Sequence, residues 1–231
     1  MISRVIIDVA TAKVIRIQSP PDFHRAMLGD NISMSDLIWS PDGSQLAYVS
    51  TPRDHKSATV KLADANTGAV RTLFEDSEPT QFESIAGWRI MWPEHTIIWS
   101  SERDNWGQLY AYDLNTGKLI NKITTGEGPV TGIEHVDDKT GSLVVEALGR
   151  TPGEDPYFRH FYSVNVDGKG WKPLTPESGD HSIQLSPDGR YFIDTYSTPD
   201  IPPTVVLRNS SGNVVMQLGH MDISRLLASG W

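Results

Sequence analysis

The chain has 231 residues, 38% of them hydrophobic and 21% charged, with a formal net charge of −9 and no cysteine. That composition belongs to a folded globular chain and not to a disordered one. The lack of thiols excludes disulfides, cysteine-zinc sites and thiol nucleophiles, and an acidic balance without a basic run argues against nucleic acid as a partner.

The first residues, Met1 to Asp8, read as a strand. The apolar stretch is too short for a signal peptide and Asp8 interrupts it. A chain that opens in mid-strand is expected to be part of something longer. No later segment approaches the roughly 18 consecutive apolar residues of a membrane helix, so no membrane span is expected.

A strand–turn–strand unit then recurs along the chain. It appears as Ile7-Asp8-Val9-Ala10-Thr11-Ala12-Lys13-Val14, returns as Ala63-Asp64-Ala65-Asn66-Thr67-Gly68-Ala69-Val70, and again as Tyr112-Asp113-Leu114-Asn115-Thr116-Gly117-Lys118-Leu119. Weaker copies lie at Val164–Gly168 and Leu207–Val214. Asp, Asn and Gly suit such turns because they tolerate a positive φ. A second mark sits upstream in each period. Trp39-Ser40-Pro41-Asp42-Gly43 and Leu185-Ser186-Pro187-Asp188-Gly189 are two copies of one turn, and Trp92–His95 and Val136–Gly141 are degenerate ones at the same phase. Between the marks lie β-branched and aromatic runs, Gln45–Ser50, Thr96–Ser100, Ser142–Glu146 and Tyr191–Asp194.

Four strands in each period of roughly 40–50 residues is the pattern of a propeller blade. The expected fold is all-β, a β-propeller segment of about four four-stranded blades plus a leading hairpin. The expected boundaries are a half-blade at 4–18, blades at about 32–75, 84–124, 129–176 and 180–219, and a tail at 220–231 with a short helix around Asp222 to Leu227. Together they form one partial domain over residues 1–231. Residues 19–31 read as a loop between blades. Residues 149–158 read as an insertion between the second and third strands of a blade, either a variable loop or a rim element that meets a partner.

Catalytic machinery is not evident. No Gly-x-Ser-x-Gly elbow occurs, and His24, His55, His95, His135, His160, His181 and His220 are scattered, without a His-Glu-x-x-His motif or a pair at metal spacing. All seven read as surface or structural. Asp113–Gly117 hints at a calcium loop, but Gly117 falls one place early and Thr124 stands where the bidentate Glu belongs, so a hairpin turn is the better reading. Neither metal nor cofactor is expected.

The run Trp99-Ser100-Ser101-Glu102-Arg103-Asp104-Asn105-Trp106-Gly107-Gln108-Leu109-Tyr110-Ala111-Tyr112-Asp113 resembles a segment of the dipeptidyl peptidase IV-type serine peptidases of the prolyl oligopeptidase superfamily. So do Thr124–Gly132, Arg159–Tyr162, Leu174–Pro176 and His181–Leu207, in the order of that family's later N-terminal blades. The resemblance implies a propeller that gates and positions peptides for a C-terminal α/β-hydrolase domain. That domain would cleave after a penultimate Pro or Ala and begin about where this chain stops, so this chain alone should be inactive. The resemblance also favours a bacterial, periplasmic or secreted protein.

It places Trp88 and Arg89 near a family loop that contributes an aromatic and an Arg to the extended peptide site; the bland alternative is a core Trp and a surface Arg. Arg159 and His160 match a motif at a strand start and read as either structural hydrogen-bonding residues or substrate contacts. Glu102 and Arg103 read as a structural pair across a blade. The paired Glu that holds the substrate's amino group in the family has no counterpart here.

Two other readings stand beside this one. A free-standing propeller module for protein interaction is the alternative, and closure of four and a half blades into a small ring would favour it. An open ring would leave edges that invite homodimers. An unrelated propeller glycosidase or lactonase is disfavoured, because matching acidic residues do not recur at equivalent blade positions.

Overall fold

The computed structural model describes residues 1–21, 36–84 and 86–230. The loop expected at 19–31 lies outside the described residues beyond its first three, as do the first positions of the blade expected at 32–75. The rest is all-β. A leading hairpin pairs β1 (Val5–Asp8) with β2 (Lys13–Arg16). Four four-stranded sheets follow. The first holds β3 (Leu37–Trp39), β4 (Gln45–Ser50), β5 (Ser57–Asp64) and β6 (Val70–Ser77). The second holds β7 (Trp88–Met91), β8 (Thr96–Asp104), β9 (Trp106–Asp113) and β10 (Leu119–Lys122). The third holds β11 (Val130–Asp137), β12 (Ser142–Leu148), β13 (Arg159–Asn165) and β14 (Lys172–Pro173). The fourth holds β15 (Asp180–Leu185), β16 (Tyr191–Thr198), β17 (Ile201–Asn209) and β18 (Val214–His220). In each sheet the strands neighbour one another in chain order, the meander of a propeller blade. The tail carries one short helix, α1 (Ser224–Ala228), which starts two residues later than the sequence indicates.

The recurring turns account for this regularity. The turn between the first and second strand of every sheet has one residue at positive φ: Gly43 (70°), His95 (49°), Gly141 (72°) and Gly189 (67°). The two degenerate copies therefore keep the geometry of the Ser-Pro-Asp-Gly turns. The aspartates close the turns. Asp42 accepts the Ser40 hydroxyl at 2.6 Å, and this bond, followed by those from Ser44, holds its carboxyl down at about 2. Asp113 accepts the Thr116 amide and hydroxyl at 2.6 and 2.8 Å, so the segment that hints at calcium spends its carboxylate on its own turn.

The chain forms two compact units. One comprises Met1–Ser84, Trp88–Asn105 and Tyr110–Asn121; the other comprises Ile85–Gly87, Trp106–Leu109 and Lys122–Trp231. In the first unit β5 alternates from Ser57 to Leu62, burying Ala58, Val60 and Leu62, with Ala63 buried as well, and β8 is buried along most of its length. Trp99, 1% exposed, is the hub of the core. Phe74 meets it edge-on at 5.5 Å, Phe82 stacks at 5.9 Å and Trp88 meets it edge-on at 6.2 Å. Each such pair contributes about 1 kcal/mol beyond the area it buries. The Trp99 indole N–H donates to buried Asp76 at 2.8 Å, and Arg103 pairs with the other Asp76 oxygen at 2.9 Å. Arg103 also covers Tyr110 at 4.5 Å. The Glu-Arg-Asp stretch thus supplies a tie from β8 to β6. In the second unit Phe161, Leu174 and Phe192 form a smaller core with Val144, Ile183 and Leu185 against it.

Within each unit a turn glycine sets how closely neighbouring sheets approach. Gly117 stands at φ 70°, and a Cβ there would lie 1.9 Å from the backbone oxygen of Leu73 in β6. Gly212 makes the same approach to the Leu174 oxygen, where a Cβ would lie at 2.7 Å. Gly117→Ala must meet both the left-handed backbone and this clash. We expect a loss of about 2 kcal/mol or more, read as a lower urea midpoint at unchanged m-value. A loss below about 0.5 kcal/mol would show that the turn is not packed on β6.

Candidate functional site

The three residues singled out from sequence have different fates. Trp88, 5% exposed, belongs to the first unit's core. Arg89, the next residue along β7, points to the other face as strand alternation requires, and is exposed. Its guanidinium donates to the Trp88 carbonyl at 2.9 Å. Of this pair only Arg89 offers a side chain to a ligand.

Arg159 opens β13 in the second unit and grips Asp180, the first residue of β15. Its Nε donates to Oδ1 at 2.9 Å, its Nη2 to Oδ2 at 2.6 Å and its backbone amide to Oδ1 at 3.0 Å. The Arg159 guanidinium holds the Asp180 carboxyl below the ordinary carboxylate range. Asp180 in turn raises the Arg159 pKa through the same hydrogen bonds.

Beside this pair lies a polar network whose members no spacing rule joins. His160, 4% exposed, places Nδ1 at 2.7 Å from the Thr175 carbonyl and Nε2 at 2.7 Å from Glu154 Oε2. His181, fully buried, places Nδ1 at 2.9 Å from Asp194 Oδ1 and Nε2 at 2.8 Å from the Glu177 carbonyl. The two rings are 4.9 Å apart, and Tyr196 stacks on His181 at 5.0 Å. Arg208, 1% exposed, donates from Nε to Asp194 Oδ2 at 2.8 Å and from Nη2 to Glu177. Glu154 reaches this network from the 149–158 insertion, where its Oε1 accepts the Ser178 hydroxyl at 2.7 Å and the Gly179 amide at 2.9 Å. Burial pushes the Glu154 carboxyl up, but the bonds from Ser178, Gly179 and His160 overcome it and hold the group below its ordinary value.

The sequence marks His160 as a motif residue beside Arg159 and His181 as one of the scattered histidines, and joins neither to the other. Their pairing depends on β13 and β15 lying side by side, a contact between residues of different sheets. The arrangement is not built for acyl transfer. A triad needs the far nitrogen of the His on a nucleophilic hydroxyl; here His181 Nε2 faces a carbonyl and the Ser178 hydroxyl serves Glu154. Among the described residues no group of three or more His, Asp or Glu is placed to hold a metal ion. What the network does is fix the starts of β13 and β15 and the middle of the insertion.

Comparison with known proteins gives a consistent answer. The sequence profile of the family described as "Dipeptidyl peptidase IV (DPP IV) N-terminal region" matches residues 1–203. Dipeptidyl-aminopeptidase B of Aspergillus niger is 27% identical over 216 residues, which cover 84% of this chain and 22% of that protein. The crystal structure of Porphyromonas gingivalis dipeptidyl peptidase 4 matches with a TM-score of 0.78 at 19% identity, covering 98% of this chain and 30% of that one. TolB from Acinetobacter baumannii matches with a TM-score of 0.52 at 17% identity, covering 90% of this chain and 46% of that one. The last two likenesses concern the fold alone. The chain spans about a fifth to a quarter of the length of the dipeptidyl-aminopeptidase B relatives from Aspergillus niger and Aspergillus terreus.

The Arg159–Asp180 pair has a defined pH signature. Because the Asp180 pKa is depressed in the folded state, the pair's contribution is complete above the ordinary carboxylate value. It is lost as the pH falls through the depressed one. Arg159→Gln should therefore cost about 1 kcal/mol or less at neutral pH, as both side chains are partly exposed. The variant and the parent should converge at the acid end of a pH series of thermal melts. A constant difference down to the lowest pH would assign the loss to packing instead.

Proposed function

Because the chain belongs to the dipeptidyl peptidase IV N-terminal region family, we propose that residues 1–231 form part of a β-propeller that gates and positions peptides. The hydrolysis would fall to an α/β-hydrolase domain of a longer protein. The observation that carries this reading is the family match itself, which runs through three complete sheets and into β17. The fold supports it less, because TolB has a similar one. Consistent with a non-catalytic portion, the sequence has no Gly-x-Ser-x-Gly elbow, and the buried histidines of the described residues face carboxylates and carbonyls.

The roles of the three named residues follow from their placement. Arg89, exposed on β7, is the peptide-contacting cation in this reading. Trp88 holds β7 in the core beneath it. Arg159 acts on substrate only indirectly, by fixing the start of β13 through Asp180.

The chain by itself should leave a Gly-Pro chromogenic dipeptide intact, and the reading frame should continue past Trp231 into a segment with the serine elbow. A stop codon directly after Trp231 would sink the proposal. In the complete protein, Arg89→Ala should raise KM about tenfold at unchanged kcat, the loss of one charge-assisted hydrogen bond made equally in ground and transition states. Unchanged kinetics would remove Arg89 from the peptide site.

A further inference from the structure

We propose that His160 and His181 form a protonation-dependent clasp, which holds the 149–158 insertion against the turn before β15 while both rings carry two protons. The argument rests on counting donors. All four ring nitrogens face oxygen, at 2.7 to 2.9 Å. Two of those oxygens are backbone carbonyls, which only accept. The other two belong to Glu154 and Asp194. Glu154 already accepts Ser178 and Gly179 on its second oxygen, bonds that hold it as a carboxylate, and Asp194 accepts the Arg208 guanidinium on its second oxygen. A neutral imidazole has one N–H and one lone pair. It can satisfy only one of its two acceptors here, and turns its lone pair on the other. The imidazolium satisfies both.

The charges that face the pair support two positive rings 4.9 Å apart. His160, on β13, meets Glu154 from the insertion and His181 from β15. His181 meets Asp194 and the Tyr196 phenol from β16, with Arg208 of β17 behind Asp194 and Glu177 behind Arg208. Three cations thus stand against three carboxylates. Asp180, adjacent to His181, is paired separately with Arg159. Loss of a proton from each ring to solvent leaves Asp194 with Arg208 but removes the cation that His160 sets beside Glu154. The neutral His160 ring then turns its lone pair on either Glu154 or the Thr175 carbonyl, so one of the two arms of the clasp is lost. Glu154 is the group that ties the insertion to Ser178 and Gly179, and the same insertion carries Tyr157, 82% exposed. Release of the clasp would free this segment and its exposed aromatic while the sheets stay paired.

The sign is opposite to that of ordinary acid lability. Glu154's lowered pKa keeps its carboxylate charged down to acid pH, so the clasp is closed on the acid side and opens as the rings lose protons with rising pH. The test is an NMR titration of the 231-residue chain between about pH 5 and 9, the range in which histidine titrates. It follows the ring nitrogens of both histidines and the backbone amides of Gly153, Glu154, Asp155, Tyr157 and Phe158. Both rings should show the imidazolium signature at the acid end, and the insertion amides should move with the His160 transition. A neutral ring at the acid end, or insertion amides that ignore the transition, would overturn the proposal. Glu154→Gln removes the charge that favours the His160 imidazolium and should lower the transition by about one pH unit. An unshifted midpoint in that variant would also overturn it. The wild-type titration decides the matter if the variant does not fold.

Discussion

A carboxylate withdrawn from water must be met by donors, and each compact unit of this protein is organised around one. In the first unit it is Asp76, which takes the Trp99 indole and the Arg103 guanidinium. In the second it is Asp194, which takes His181 and Arg208. An isolated buried charge costs several kcal/mol, so the strands that bring the donors cannot drift from the strand that carries the acid. Each tie reaches beyond one strand. Asp76 on β6 joins β8 of the next sheet. Asp194 on β16 joins β15, β17 and, through the ring contact, His160 on β13.

The rest of the architecture is repetitive and cheap to specify. The same turn with one residue at positive φ opens every sheet, even where the sequence reads Trp-Pro-Glu-His. The hairpins at Gly68, Gly117 and Gly212 carry a glycine that lets backbone at the outer edge of the preceding sheet come into contact. Repetition gives the family its fold. The buried ionic groups, which do not repeat from sheet to sheet, distinguish one blade from another.

The residues read from sequence differ in placement for a physical reason. Trp88 and Arg89 alternate along β7 and so point to opposite faces, and the aromatic packs in the core against Trp99. Arg159 was visible as a matching residue at a strand start, but its partner Asp180 lies on another sheet and no spacing rule joins the two. Glu154, read as part of a loop, is its least loop-like residue: its carboxylate is buried against His160.

Alternation and turn chemistry are local properties, decided by residues a few positions apart. The sequence alone therefore determined the all-β class, the four-stranded period, the leading hairpin and the position of the insertion between β12 and β13. It also determined the absence of a serine elbow, and through ordered motifs, the family. Only the tertiary structure decided which polar residues are buried and with whom. His160 and His181 stand far from Glu154 and Asp194 by the rules of local spacing. They become one network because β13 and β15 lie side by side, where burial makes every unmatched donor or acceptor costly.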